Sequence, residues 1–173
     1  PAQRQPGAMK PFSSARKLSA VTFLDEGTFI MGAPEFVLKP MPARIDKIVK
    51  QYAQMGLRVL VLAHSPGQIQ NDKLPSGIKP IAIITLSDNV RPDAIETIKW
   101  FKRNDVAVKV ISGDNPVTVA EVARRAGIPN AAQFISLEGL SDIDVENAAN
   151  EYTVFGRVTP EQKAILIRAI KKA

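Results

Sequence analysis

Val110-Ile111-Ser112-Gly113-Asp114-Asn115-Pro116 reads as a strand that runs into a tight turn and then a helix. Val106, Val108, Val110 and Ile111 form a β-branched run suited to the inside of a parallel sheet, which predicts a strand over 106–111. Asn115 suits an N-cap, and Pro116 suits the first helical position, where its missing N–H costs nothing. A hydroxyl, a glycine and exposed N–H groups at a helix start make a seat for a phosphate. Strand–glycine–helix turns also occur in many α/β folds with no phosphate bound.

A second stretch about forty residues on, Gly156-Arg157-Val158-Thr159-Pro160-Glu161-Gln162-Lys163, bears on that choice. Thr159 and Gln162 form a Thr-x-x-Gln capping box with Pro160 at the first helical position. Lys163 then falls in the first turn, where the helix already carries positive partial charge. It is either a solvated surface lysine or a fixed cation for a phosphoryl group, with Ser112 and the N–H groups near Gly113 opposite.

Outward from these stretches, the second half alternates helix and strand. Ile95, Ile98 and Phe101 mark a helix, and residues 116–126 another, closed by Gly127. A short strand near Phe134-Ile135, a helix over 145–152 and a strand over 153–155 follow. Such alternation implies a parallel sheet. The first half differs. Residues 1–10 read as a loose lead-in, 18–24 and 28–31 as a hairpin turning at Asp25-Glu26-Gly27. Gly32-Ala33-Pro34-Glu35 breaks the strand and starts a helical turn. Ile45, Ile48, Val49, Tyr52 and Met55 recur at helical spacing up to Gly56. Strands over 57–63 and 81–86 flank an irregular loop, and the polar Ser87-Asp88-Asn89-Val90-Arg91-Pro92 marks the change of pattern.

The 173 residues suffice for a buried core, and 45% apolar with 23% charged content describes an ordinary globular chain. No apolar run is long enough to span a bilayer and no signal peptide is visible. With no cysteine and one histidine, His64, disulfides, thiolate metal sites and histidine clusters are excluded. The formal charge of +6 comes from dispersed basic pairs, and aromatics make up only 6%. That pattern fits anionic small ligands better than nucleic acid.

Ile111-Ser112-Gly113-Asp114-Asn115, then Gly127-Ile128, then Gly156 to Lys163 resemble the cytoplasmic part of P-type cation-transporting ATPases. Phe12-Ser13-Ser14-Ala15-Arg16-Lys17-Leu18-Ser19 is similar to that family's nucleotide-binding signature, and Gly32-Ala33-Pro34-Glu35 to its Lys-Gly-Ala-Pro-Glu segment. The blocks stand in the family's order across nearly the whole chain. The resemblance implies an α/β fold: a partial α+β nucleotide-binding (N) domain over 11–87, then a partial haloacid-dehalogenase-like, Rossmann-like phosphorylation (P) domain over 88–173. It further implies that Phe12 stacks on adenine, that Lys17 and Gly32 lie in the nucleotide pocket, and that Arg58 contacts the ATP phosphates. Asp88 and Arg91 match the hinge. Ser112, Gly113 and Asp114 would face the phosphate, Arg157 would lie near the nucleotide, and Lys163 would be the catalytic lysine. No residue is assigned as a metal ligand.

The departures matter too. Met31 stands at the usual lysine of the Lys-Gly-Ala-Pro-Glu segment, removing a cation from the pocket, and Asn89-Val90 replace the hinge prolines. Neither Asp-Lys-Thr-Gly-Thr, with the phosphorylated aspartate, nor Gly-Asp-Gly-x-x-Asn-Asp, which helps hold magnesium, occurs. The chain therefore reads as a segment of an ATP-driven cation pump that works through an aspartyl-phosphate intermediate and does not turn over alone. Without the aspartate strand, its second half is expected to be incompletely packed, swapped or oligomeric. ATP and Mg²⁺ are the expected cofactors, with the Mg²⁺ site incomplete. The partners would be the membrane helices, actuator domain and remaining P domain, at the cytoplasmic face of a membrane. The alternative is a free-standing, catalytically inactive nucleotide-binding or regulatory module. An independent haloacid-dehalogenase-like phosphatase is disfavoured by the missing nucleophile.

Overall fold

A computed structural model describes residues 5–87 and 89–172. The chain clusters into two compact units. One comprises the residues up to Lys50 together with Val59–Leu86, the other Gln51–Arg58 together with the residues from Ser87 onward.

The first unit is built on strands β1 (Pro6–Lys10), β2 (Leu18–Phe23), β3 (Gly27–Gly32), β4 (Arg58–Ser65) and β5 (Lys79–Leu86), which lie side by side in that order. β1 to β4 pair antiparallel. Side chains alternate across a strand, so Leu18, Ala20, Ile30, Val61 and Ala63 share one buried face. Helix α1 (Pro34–Val37) and Ile45 of helix α2 (Ala43–Gln54) pack there. Thr22 and Thr28 share a buried hydroxyl hydrogen bond of 2.8 Å, and Thr28 donates to the Gly67 carbonyl, fixing the loop after β4. The hairpin turning at Asp25 to Gly27 is as the sequence predicts. Residues 6–10 differ from the expected lead-in, because they add to the edge of β2 as a strand. Four of their five residues are exposed. Backbone pairing with β2 and the buried Lys10, whose ammonium meets Asp72 Oδ1 at 2.6 Å, hold them there, and the exposed pattern leaves no alternation to read.

The second unit holds strands β6 (Val110–Ile111), β7 (Phe134–Ser136) and β8 (Val154–Gly156), in the order β6-β8-β7 and all parallel. Its helices are α3 (Pro92–Arg103), α4 (Pro116–Arg125), α5 (Asp142–Glu151) and α6 (Pro160–Lys172). Consecutive residues of β8 face opposite ways, and that splits the core. Val154 packs with Val119, Ala120 and Ala123 of α4. Phe155 packs with Val145 and Ala149 of α5 and with Ile165 and Leu166 of α6. Helices thus cover both faces of a parallel sheet, the mixed α/β arrangement that the alternation predicts.

The strand predicted over 106–111 is shorter than expected. The ladder with β8 begins only where Val110 N–H donates to the Thr153 carbonyl at 2.9 Å, and Val106 is exposed. Lys109 instead turns its ammonium onto the Ala149 and Tyr152 carbonyls at the end of α5, at 2.6 and 2.7 Å. The final helix matches its prediction: Gln162 N–H donates to Thr159 Oγ1 and Thr159 N–H donates to Gln162 Oε1, at 3.2 and 3.1 Å. No described helix is long and apolar enough to cross a membrane.

Candidate functional site

The C-terminal ends of β6 and β8 hold Ser112, Gly113, Asp114 and Arg157 of the residues that the sequence singles out. Ser112 N–H donates to the Phe155 carbonyl at 2.9 Å and extends the β6–β8 ladder by one residue. The chain then turns. Ser112 Oγ accepts the Asp114 N–H at 3.1 Å, and Asn115 caps α4 by accepting the Val117 N–H at 3.0 Å. The loop leaving β8 is sewn to this turn by the backbone, with Val158 N–H on the Ser112 carbonyl at 3.0 Å and Arg157 N–H on the Asp114 carbonyl at 2.9 Å. Arg157, at φ 54° and buried, also donates from Nη1 to the Gly113 carbonyl at 3.3 Å. Gly156 allows this closeness: a Cβ there would lie 2.5–2.6 Å from Pro116 backbone and ring atoms.

Helices α4 and α6 therefore both start at one end of the sheet, outside the carboxyl ends of parallel strands. Helix-start N–H groups favour an anion there, and ligands of open α/β sheets bind there. Lys163 lies in the first turn of α6, exposed, its N–H donating to the Thr159 carbonyl at 2.9 Å. Ser112, Gly113, Asp114 and Arg157 are thus brought together, and Lys163 follows the same loop by one helical turn. Arg58, at the start of β4, meets Asp114 with Nη2 2.6 Å from Oδ2, both side chains partly exposed.

In the first unit, the loop between β1 and β2 carries Phe12 and Lys17. The Phe12 ring is 64% exposed, large and apolar, as a base-stacking surface requires. Lys17, at φ 55°, accepts the Ala33 N–H on its carbonyl at 3.0 Å, and Gly32 lies against that carbonyl with no room for a side chain. Lys17 and Gly32 are therefore neighbours. Met31, in the usual lysine position, is partly exposed beside them. Phe12 is exposed and Lys17 half-buried. Of the expected hinge pair, Arg91 pairs with Asp93 at 3.5 Å, and Asp88 lies outside the described residues. The described residues bring no three His, Cys, Asp or Glu side chains together for a metal ion.

The sequence reading passes over three residues on α4. Thr118 donates from Oγ1 to the Leu57 carbonyl at 3.1 Å, and Arg125 donates to the Met55 carbonyl. Glu121 accepts from Arg124 and Arg125, and their guanidinium groups, Arg124 first, hold its carboxyl down to about 2. The signal was their spacing along the helix that Asn115 caps.

Residues 28–173 match the family described as haloacid dehalogenase-like hydrolase, and the chain belongs to that family. Over 164 residues it is 38% identical to "Calcium-transporting ATPase CtpE" of Mycobacterium tuberculosis, covering 95% of this chain and 20% of that protein. It is 36% identical over 165 residues to "Probable cation-transporting ATPase exp7" of Streptococcus pneumoniae, covering 94% of this chain and 21% of that protein. The chain spans about a fifth of the length of these curated relatives.

Proposed function

We propose that this chain is the segment of a P-type cation pump that binds ATP and contributes to its phosphotransfer site, acting within a longer polypeptide. One observation carries the reading: the Ser112-Gly113-Asp114 turn and the Arg157-to-Lys163 stretch, distant in sequence, meet at the starts of two helices. Relatives named as cation-transporting ATPases, aligned over nearly the whole chain, support it.

In this reading residues 11–87 are the N-domain part and residues 88–173 the P-domain part. Phe12 stacks on adenine, with Lys17 and Gly32 lining the pocket and Arg58 meeting the phosphates. Ser112, Gly113 and Asp114 face the transferred phosphoryl group, Lys163 supplies fixed positive charge, and Arg157 braces the turn near the nucleotide. Such sites work mainly by positioning and electrostatic stabilisation. Asp88 and Arg91 form the hinge. Magnesium, when bound with ATP, would neutralise phosphate charge. The parent would cross the membrane, keep this segment on its cytoplasmic face and cycle through an aspartyl phosphate, so the segment alone would not turn over.

Calorimetric titration with ATP tests the pocket. Phe12→Ala is expected to lose about 1–3 kcal/mol of binding through lost base stacking. Equal affinity in the two proteins would remove Phe12 from the site. For the parent, label from γ-labelled ATP that survives acid but is released by hydroxylamine is expected, and absence of such label would refute the pump reading.

A further inference from the structure

One face of α4 and the turn before it grip four consecutive residues that follow α2. Asp114 Oδ2 takes the Arg58 guanidinium at 2.6 Å, Thr118 Oγ1 donates to the Leu57 carbonyl at 3.1 Å, and Arg125 donates to the Met55 carbonyl. A spacing of seven residues puts Thr118 and Arg125 on one helical face, and Asp114 lies in the turn just before that helix. Gly56, at φ 71°, completes the fit, since a Cβ there would come 3.0 Å from Glu121 Cγ and 3.1 Å from Arg125 Nη2. Glu121 in turn orients Arg125, accepting its Nε–H at 3.0 Å. All these residues belong to the second unit.

One of the contacts takes the Met55 carbonyl directly after α2, where helix-end carbonyls need partners in any case, and another takes the Leu57 carbonyl just before β4. Capping would be satisfied wherever the Arg58 side chain went. The third contact adds something. With the Leu57 carbonyl tied to Thr118, the next residue's backbone is fixed, and its guanidinium reaches Asp114 in the turn that starts α4. We propose that Thr118 and Arg125 are positioning residues for Arg58, setting the place at which its guanidinium meets an incoming polyphosphate. The polyphosphate clause rests on the nucleotide reading above; the positioning does not.

The test uses the whole chain, with the Arg58 Nε–Hε resonance as a structural readout and ATP and adenosine titrations as a functional one. Thr118→Val is expected to move the Arg58 resonance in the direction that Asp114→Asn moves it. It should weaken ATP about fivefold, the worth of one net hydrogen bond, and leave adenosine unchanged. Thr118→Ser should restore both, and Arg125→Gln, at a partly exposed position, should repeat the shift. In an Arg58→Gln background, Thr118→Val should have no further effect on ATP. An Arg58 resonance unchanged in both Thr118→Val and Arg125→Gln, with only a lower melting temperature, would reduce the grip to a helix cap and overturn the proposal. A shifted resonance in a protein that binds no ATP would uphold the positioning and sink the nucleotide reading instead.

Discussion

At Gly156 the end of β8 runs so close to Pro116 that any side chain would have to push the start of α4 away. Gly156→Ala is therefore expected to destabilise the second unit by about 1–3 kcal/mol, as overpacking does, read from the urea midpoint. Glu121 gives a pH signature. Its folded carboxyl titrates at about 2 against an ordinary 4.5, so the unfolded chain takes up the proton first. The contribution is whole at neutral pH, begins to fade as pH falls below 4.5, and is gone below about 2. Wild type should thus lose more stability than Glu121→Gln over that window, and parallel acid-unfolding curves would count against the assignment. Neither effect was legible in the sequence. Gly156 was visible as the head of a motif, but its closeness to Pro116 is a tertiary contact. Glu121 looked like a solvated helix charge.

The elements were more legible where a local signal fixes their ends. The Thr159–Gln162 box forms as read, and Thr159→Ala should cost about 0.5–2 kcal/mol through the lost cap, measurable by thermal unfolding. Asn115 likewise caps α4. Elements whose ends are set by tertiary contacts were less legible: β1 has an exposed pattern, and β6 keeps only two of the six residues expected. The β-branched run at 106–111 gave the type of element correctly but not its length, because Lys109 is drawn to the end of α5. Burial lowers the pKa of that lysine, and its two carbonyl contacts hold the start of β6 to α5. Lys109→Met should therefore destabilise the second unit by about 1–3 kcal/mol, with amide exchange rising first in β6 and the last turn of α5. Unchanged exchange there would show that the ammonium contributes nothing to the strand.

Across the whole molecule, the first unit is a five-stranded sheet whose β1 to β4 pair antiparallel, with helices packed on its buried face, and the second a parallel sheet covered on both. Haloacid dehalogenase-like membership accounts for the second architecture and for the gathering of turns at the strand ends. The sequence showed which residues gather there, since Ser112-Gly113-Asp114 and Arg157 sit in recognisable blocks. It could not show that Arg58 joins Asp114, because their pairing depends on α4 gripping residues 55–58. The central proposal is that the Phe12 loop of the first unit takes a base and the Ser112 turn of the second takes phosphate. It is tested most directly by backbone amide NMR of the chain titrated with ATP. Saturable shifts are expected at Phe12, Lys17 and Gly32 and also at Arg58 and at Ser112 to Asp114. Adenosine should move only the first group. An ATP titration that leaves both groups unmoved, or that moves residues elsewhere, would contradict the account.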